Sequence, residues 1–107
     1  NASGALASGD NSVARGNDSL AEGDFTTVVG NLATARGEAG TALGLSADAD
    51  GFLATALGSN AQALAENATA AGSFANAAGT NATALGAETR ASGESSVAIG
   101  YQSGSTG

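Results

Sequence analysis

Residues 81–100 run Asn81-Ala82-Thr83-Ala84-Leu85-Gly86-Ala87-Glu88-Thr89-Arg90-Ala91-Ser92-Gly93-Glu94-Ser95-Ser96-Val97-Ala98-Ile99-Gly100. Glycine returns every seventh residue, with Ala two places before each. Extending that step in both directions gives fifteen positions from Gly9 to Gly107, of which fourteen are glycine and one is Ala65. Among the first fourteen, the residue two before is Ala thirteen times and Val28 once, and the residue four before is Ala, Ser, Thr or Gly40. A fixed internal period of this kind marks a repeat architecture.

A seven-residue period also suggests a coiled coil, but a coiled coil needs large apolar side chains at two heptad positions. Here those positions hold Ala and Gly, and each Gly inside a helix would cost about 1 kcal/mol relative to Ala. The small residues recur at i and i+2, the spacing of one face of a strand. Each heptad therefore reads as a short strand followed by a turn.

Alternate heptads differ, so the true period is 14. Before Gly16, Gly30, Gly44, Gly58, Gly72, Gly86 and Gly100, the outward positions hold Val13 and Arg15, Thr27 and Val29, Thr41 and Leu43, Thr55 and Leu57, Thr69 and Ala71, Thr83 and Leu85, Val97 and Ile99. In the other heptads the same places hold mostly polar residues, among them Glu22, Arg36, Asp48, Asp50, Gln62, Asn76, Arg90 and Ser92. The pattern predicts about seven flat coils with two short strands each. Ala, Ser and Thr point inward, one outer face is wet and the other apolar. At a strand spacing of ~4.8 Å the coils stack into a rod on the order of 35 Å long. A continuous apolar stripe on an outer face marks an interface, and closed symmetry would cover each copy's stripe with another's. The period leaves two, three or four copies open.

Composition agrees. Large side chains are scarce, with three Phe, one Tyr and no Trp. A buried methyl returns only about 0.8 kcal/mol, against roughly 1–2 kcal/mol for ordering each residue's backbone, so a conventional globular core is excluded. There is no Cys or His, and three basic residues stand against ten acidic ones, for a net charge of −7. That balance argues against nucleic acid and anionic membrane as partners. A nucleophile would lack a base, so no catalysis, cofactor or metal is expected. Neither a phosphate-loop pattern nor a calcium-roll motif occurs. No apolar run reaches the ~20 residues that span a bilayer, and no signal peptide opens the chain. The whole of 1–107 reads as one domain cut from a longer protein.

Four features stand outside the pattern. Arg15 is the one charged residue on the apolar face; its burial calls for an anion or a carboxylate such as Asp18, unless it sits in a terminal coil. Asp10, Asp24, Glu38, Glu66 and Glu94 follow second-class glycines and line one edge, which reads as a solvated turn rather than a cation track. Phe25, Phe52, Leu53 and Phe74 fall at turns and are expected to plug coil ends rather than form a sticky ligand patch. Asn17, Asn67 and Asn81 head Asn-x-Ser/Thr triplets, read as by-products of Asn turns beside Thr strands.

The motif Ser95-Ser96-Val97-Ala98-Ile99-Gly100, with Asn11-Ser12-Val13-Ala14-Arg15-Gly16, Asn67-Ala68-Thr69-Ala70-Ala71-Gly72 and Asn81-Ala82-Thr83-Ala84-Leu85-Gly86 as looser copies, resembles the head of trimeric autotransporter adhesins. The resemblance covers essentially the whole chain. It implies an all-β, single-stranded left-handed parallel β-roll (solenoid), assembled as a homotrimer with the Val/Ile-type positions near the three-fold axis. It also implies a place on the bacterial cell surface at the outer membrane, a role in virulence, and binding to host extracellular matrix or cell-surface molecules. Neck, stalk and membrane anchor would lie outside this fragment, and the only membrane contact would be through that anchor. The alternatives are an ice-binding β-solenoid using the Thr27, Thr41, Thr55, Thr69 and Thr83 ladder, or a passive spacer. The ligand-binding coil is not specified by the sequence.

Overall fold

In the computed structural model, residues 4–106 are described; Gly107, the last step of the heptad, lies outside them. Every described strand is two or three residues long, and no helix occurs among the described residues. The strands form two parallel sheets. One has seven strands, Val13–Arg15, Thr27–Val29, Thr41–Leu43, Thr55–Leu57, Thr69–Ala71, Thr83–Leu85 and Val97–Ile99, in chain order across the sheet. The other has eight, Leu6–Ala7, Leu20–Ala21, Thr34–Ala35, Asp48–Ala49, Gln62–Ala63, Asn76–Ala77, Arg90–Ala91 and Gly104–Ser105. Register is fixed at 14, so that Thr41 lies beside Thr55 and Leu43 beside Leu57. The result is a parallel β-solenoid measuring 38 × 21 × 11 Å, close to the length expected from the repeat.

The core follows from that thinness. Ala21, Ala35, Ala42, Ala49, Ala56, Ala63, Ala70, Ala77, Ala84 and Ala91 are fully buried between the sheets, whereas Ala7 in the first coil is exposed. The larger inward residues Thr26 and Val28 share one coil, and the same place as Thr26 one coil later is Gly40. Four inward hydroxyls are satisfied locally: Ser12 Oγ, Ser19 Oγ, Thr26 Oγ1 and Thr89 Oγ1 each donate to the carbonyl of the glycine three residues before, at 2.7–2.9 Å, whereas Ser96 Oγ and Ser103 Oγ are buried without a partner. Neighbouring coils are joined by backbone bonds such as Thr41 N to Ala54 O and Thr55 N to Ala68 O, both 2.9 Å.

The glycines serve two different purposes. Gly44 has φ +131°, a region closed to side chains, and a methyl there would lie 2.6 Å from Gly58 O. Gly23 has no such φ, yet a methyl would still lie 2.6 Å from Gly37 O. An added methyl therefore crowds the next coil's backbone in both classes, but only the first class also needs glycine's backbone freedom. Ala65 interrupts the glycine series at a second-class position, where φ is not positive.

Every turn carries a non-glycine residue in the left-handed region two places after the glycine position. Ala33 N to Gly30 O, 3.2 Å, closes one such turn around Leu32 at φ 65°. This is the type II geometry, which favours Gly or Asn at that place. Asn11, Asn60, Asn67 and Asn81 fit it, which accounts for two of the three Asn-x-Thr/Ser triplets as turn chemistry.

The aromatic turn residues do not plug coil ends. Phe25 and Phe74 are both 58% exposed, and Phe52 and Leu53 are exposed as well. The inward place of each turn is the residue after the left-handed one (Thr26, Ala54, Ala75), so the bulky residue before it projects from the edge of the rod.

Candidate functional site

Among the described residues no three acidic side chains converge on a point that could hold a metal. Asp10, Asp24, Glu38, Glu66 and Glu94 are exposed along one edge; the Asp24 carboxylate accepts from Asp10 N at 2.9 Å, tying one turn to the next.

The two outer faces of the rod differ in character. On the seven-stranded sheet, one column runs Val13, Thr27, Thr41, Thr55, Thr69, Thr83, Val97 and the next runs Arg15, Val29, Leu43, Leu57, Ala71, Leu85, Ile99. Parallel in-register stacking holds like beside like. In the isolated chain Val13, Val29, Leu43, Leu57, Val97 and Ile99 are exposed, Ile99 at 64%. Arg15 lies on the strand at one edge of this sheet and is exposed. Asp18, the carboxylate nominated beside it, lies instead against Gly4.

On the eight-stranded sheet the same register stacks charges and amides. Arg36 Nη1 lies 3.0 Å from Asp50 Oδ1 and 3.9 Å from Asp48 Oδ1, and its Nε lies 3.7 Å from Glu22 Oε1. The hydrogen bond to Asp50, partly opposed by desolvation, raises the guanidinium pKa further above its ordinary value. Asp48 Oδ1 is buried and receives no hydrogen bond. Desolvation, reinforced by Asp50 beside it, pushes the Asp48 carboxyl up to about 7, against the pull of Arg36. Two coils on, Asn76 Nδ2 donates to Gln62 Oε1 at 3.2 Å. The sequence names these polar residues, but their grouping becomes visible only when positions 22, 36 and 50, or 62, 76 and 90, are laid 14 apart.

The family described as YadA head domain repeat (2 copies) matches residues 3–19, 7–33, 21–47, 49–75 and 77–103. No curated protein matches the chain. The matched stretches follow the coil period from end to end, and the architecture is the parallel solenoid that the repeat demands. This chain belongs to the YadA head domain repeat family.

Proposed function

We propose that the chain is the homotrimeric head of an outer-membrane adhesin. Its seven-stranded face closes on the three-fold axis, and its remaining surface binds host matrix or cell-surface molecules. Heads of this family are trimeric autotransporter adhesin modules displayed at the bacterial cell surface, structural rather than catalytic. The observation that carries the reading is the in-register face of Val13, Val29, Leu43, Leu57, Val97 and Ile99, large apolar side chains left exposed on one chain beside a ladder of Thr. Full burial of a Val, Leu or Ile contributes roughly 1.5–3 kcal/mol, and the Ala-filled core has little else to draw on. The opposite face, with Arg36, Asp50, Gln62, Asn76 and Arg90, is polar and suits display to solvent. Recognition is by surface contact, multiplied over three copies.

The Thr27–Thr41–Thr55–Thr69–Thr83 ladder is in register. Its companion column is Val29, Leu43, Leu57, Ala71 and Leu85 rather than a second row of Thr, which favours an interface over an ice-ordering surface. The test is adhesion of chain-coated beads to cultured cells and to immobilised matrix proteins. Wild-type beads should adhere. Leu43→Asp/Leu57→Asp beads should lose adhesion together with oligomerisation. Adhesion that persists in that variant as a monomer would contradict the proposal.

A further inference from the structure

One concavity lies on the polar side of the rod, about 350 Å³ in volume, between the edge turns and the eight-stranded face. Its wall is built from three successive coils: Asn60, Phe74 and Glu88 from the turns, and Gln62, Asn76 and Arg90 from the strands. It sits on the sheet opposite the apolar columns, so assembly through those columns leaves it open.

Three independent observations mark it as more than a crease. Phe74 occupies the left-handed region at φ 62° while 58% exposed. A bulky residue there costs on the order of 1 kcal/mol and no comparable burial offsets it. Phe25, Leu32 and Leu53 carry similar strain, but of these four only Phe74 lines the concavity. Asn76 Oδ1 is buried with no hydrogen-bond partner, although its Nδ2 is engaged by Gln62. Such an acceptor ordinarily finds a partner. Finally, one guanidinium and one carboxylate line the same small space, with Glu88 Oε1 accepting from Gln102 Nε2 at 2.8 Å.

We propose that this groove binds a neutral saccharide unit, such as the terminal sugar of a surface glycan. The amides of Asn60, Gln62 and Asn76 offer uncharged donors and acceptors at strand spacing, matching a ring of hydroxyls. Asn76 Oδ1 is shielded in the unbound chain, and a ligand hydroxyl satisfies it when the amide turns toward the groove. The exposed Phe74 ring takes the apolar C–H face of a pyranose. Arg90 and Glu88 offset one another, so the groove favours neither an anion nor a cation. The volume lies at the low end for small-molecule sites, which suits one end of a chain projecting from a surface. A single groove holding on the order of −4 kcal/mol binds at about 1 mM, and three per assembly multiply that contact. The inference deepens the adhesin reading by naming a ligand class.

The experiment is saturation-transfer difference NMR on the full chain with lactose, N-acetyllactosamine, maltose and chitobiose, and with 3′-sialyllactose as the charged comparator. Saturation should reach ring C–H protons of at least one neutral sugar. Phe74→Asn should abolish the transfer while melting higher than wild type, because Asn suits the left-handed turn; loss of binding then cannot be loss of fold. Arg90→Ala should weaken binding by about ten-fold, and Phe25→Asn should leave it unchanged. Transfer to no neutral sugar, transfer to the sialylated sugar alone, or undiminished transfer in Phe74→Asn would each overturn the proposal. If the head still formed oligomers and adhered to cells in those cases, the adhesin reading would stand without the groove.

Discussion

Single positions in this chain answer to backbone geometry more than to side-chain packing. Gly44 and Gly23 form a natural pair, because an added methyl meets the next coil's backbone at 2.6 Å in both, but only Gly44 has a positive φ. Gly44→Ala should therefore destabilise the chain more than Gly23→Ala, by a further ~1–3 kcal/mol. Equal losses measured by thermal denaturation would mean that φ contributes nothing. At the turns the sign reverses: Phe25→Asn should stabilise by roughly 0.5–1 kcal/mol, since Asn accepts the left-handed conformation that Phe adopts at φ 61°. Asp48 supplies the pH dependence. Its folded carboxyl titrates near 7, above its ordinary value of 3.8. The folded state then holds more protons than the unfolded one between those limits, so stability falls as pH rises from about 4 to about 7 and levels off beyond. Asp48→Asn, which gives this place the amide chemistry of its neighbours Gln62 and Asn76, should flatten that slope. It should stabilise the chain at pH 8 by on the order of 1–2 kcal/mol, with little gain at pH 4. A gain of equal size at both pH values would show that the carboxylate's charge is not the cause. Arg36, flanked by Glu22 and Asp50 on an exposed face, is a weaker contributor, within the 0.2–1 kcal/mol or so of surface ion pairs.

At the scale of the coil, the limiting quantity is thickness. The two sheets close over Ala side chains that are fully shielded, and Ala56 is typical. Ala56→Leu would force four heavy atoms' worth of side chain toward its opposite strand and should destabilise by about 3 kcal/mol, read as a large drop in denaturant midpoint; a neutral result would mean the coil can swell. This element was the most legible part of the sequence. Ala at i−2, a small residue at i−4 and Gly at i define an inward face, an outward face and a turn, and the 14-residue register follows without further information. The turn residues were less legible. Phe25, Phe52, Leu53 and Phe74 read as plugs because a poor core invites that use of an aromatic, whereas the left-handed turn directs the following small residue inward and leaves the large one outside. Ala65 looked like a flaw in the glycine series; its φ is not positive, so only the close approach of the next coil, and not the backbone conformation, opposes a side chain there. Grouping of Arg36 with Asp50, or of Asn76 with Gln62, depends on side-chain reach across coils, which periodicity alone does not encode.

For the whole molecule, the central feature is the apolar face that one chain leaves exposed. The seven-stranded face presents Val29, Leu43, Leu57 and Ile99 in one line on an isolated chain, broken by the smaller Ala71. Filling that place with Ala71→Leu should strengthen self-association, by about 1–2 kcal/mol per copy if the added surface is buried, visible as a lower concentration for dissociation in sedimentation experiments. No change would argue that this coil stands off the axis. Stacked coils contact only their neighbours, so the proposed interface along the rod would tie distant coils into one cooperative unit, and stability should then depend on protein concentration. The most direct test of the account is the mass of the chain in solution by light scattering, alone and as Leu57→Asp. A mass about three times the 10.0 kDa of one chain, falling to that of a single chain in Leu57→Asp, is the predicted result. A stable monomer in the wild-type chain would contradict it.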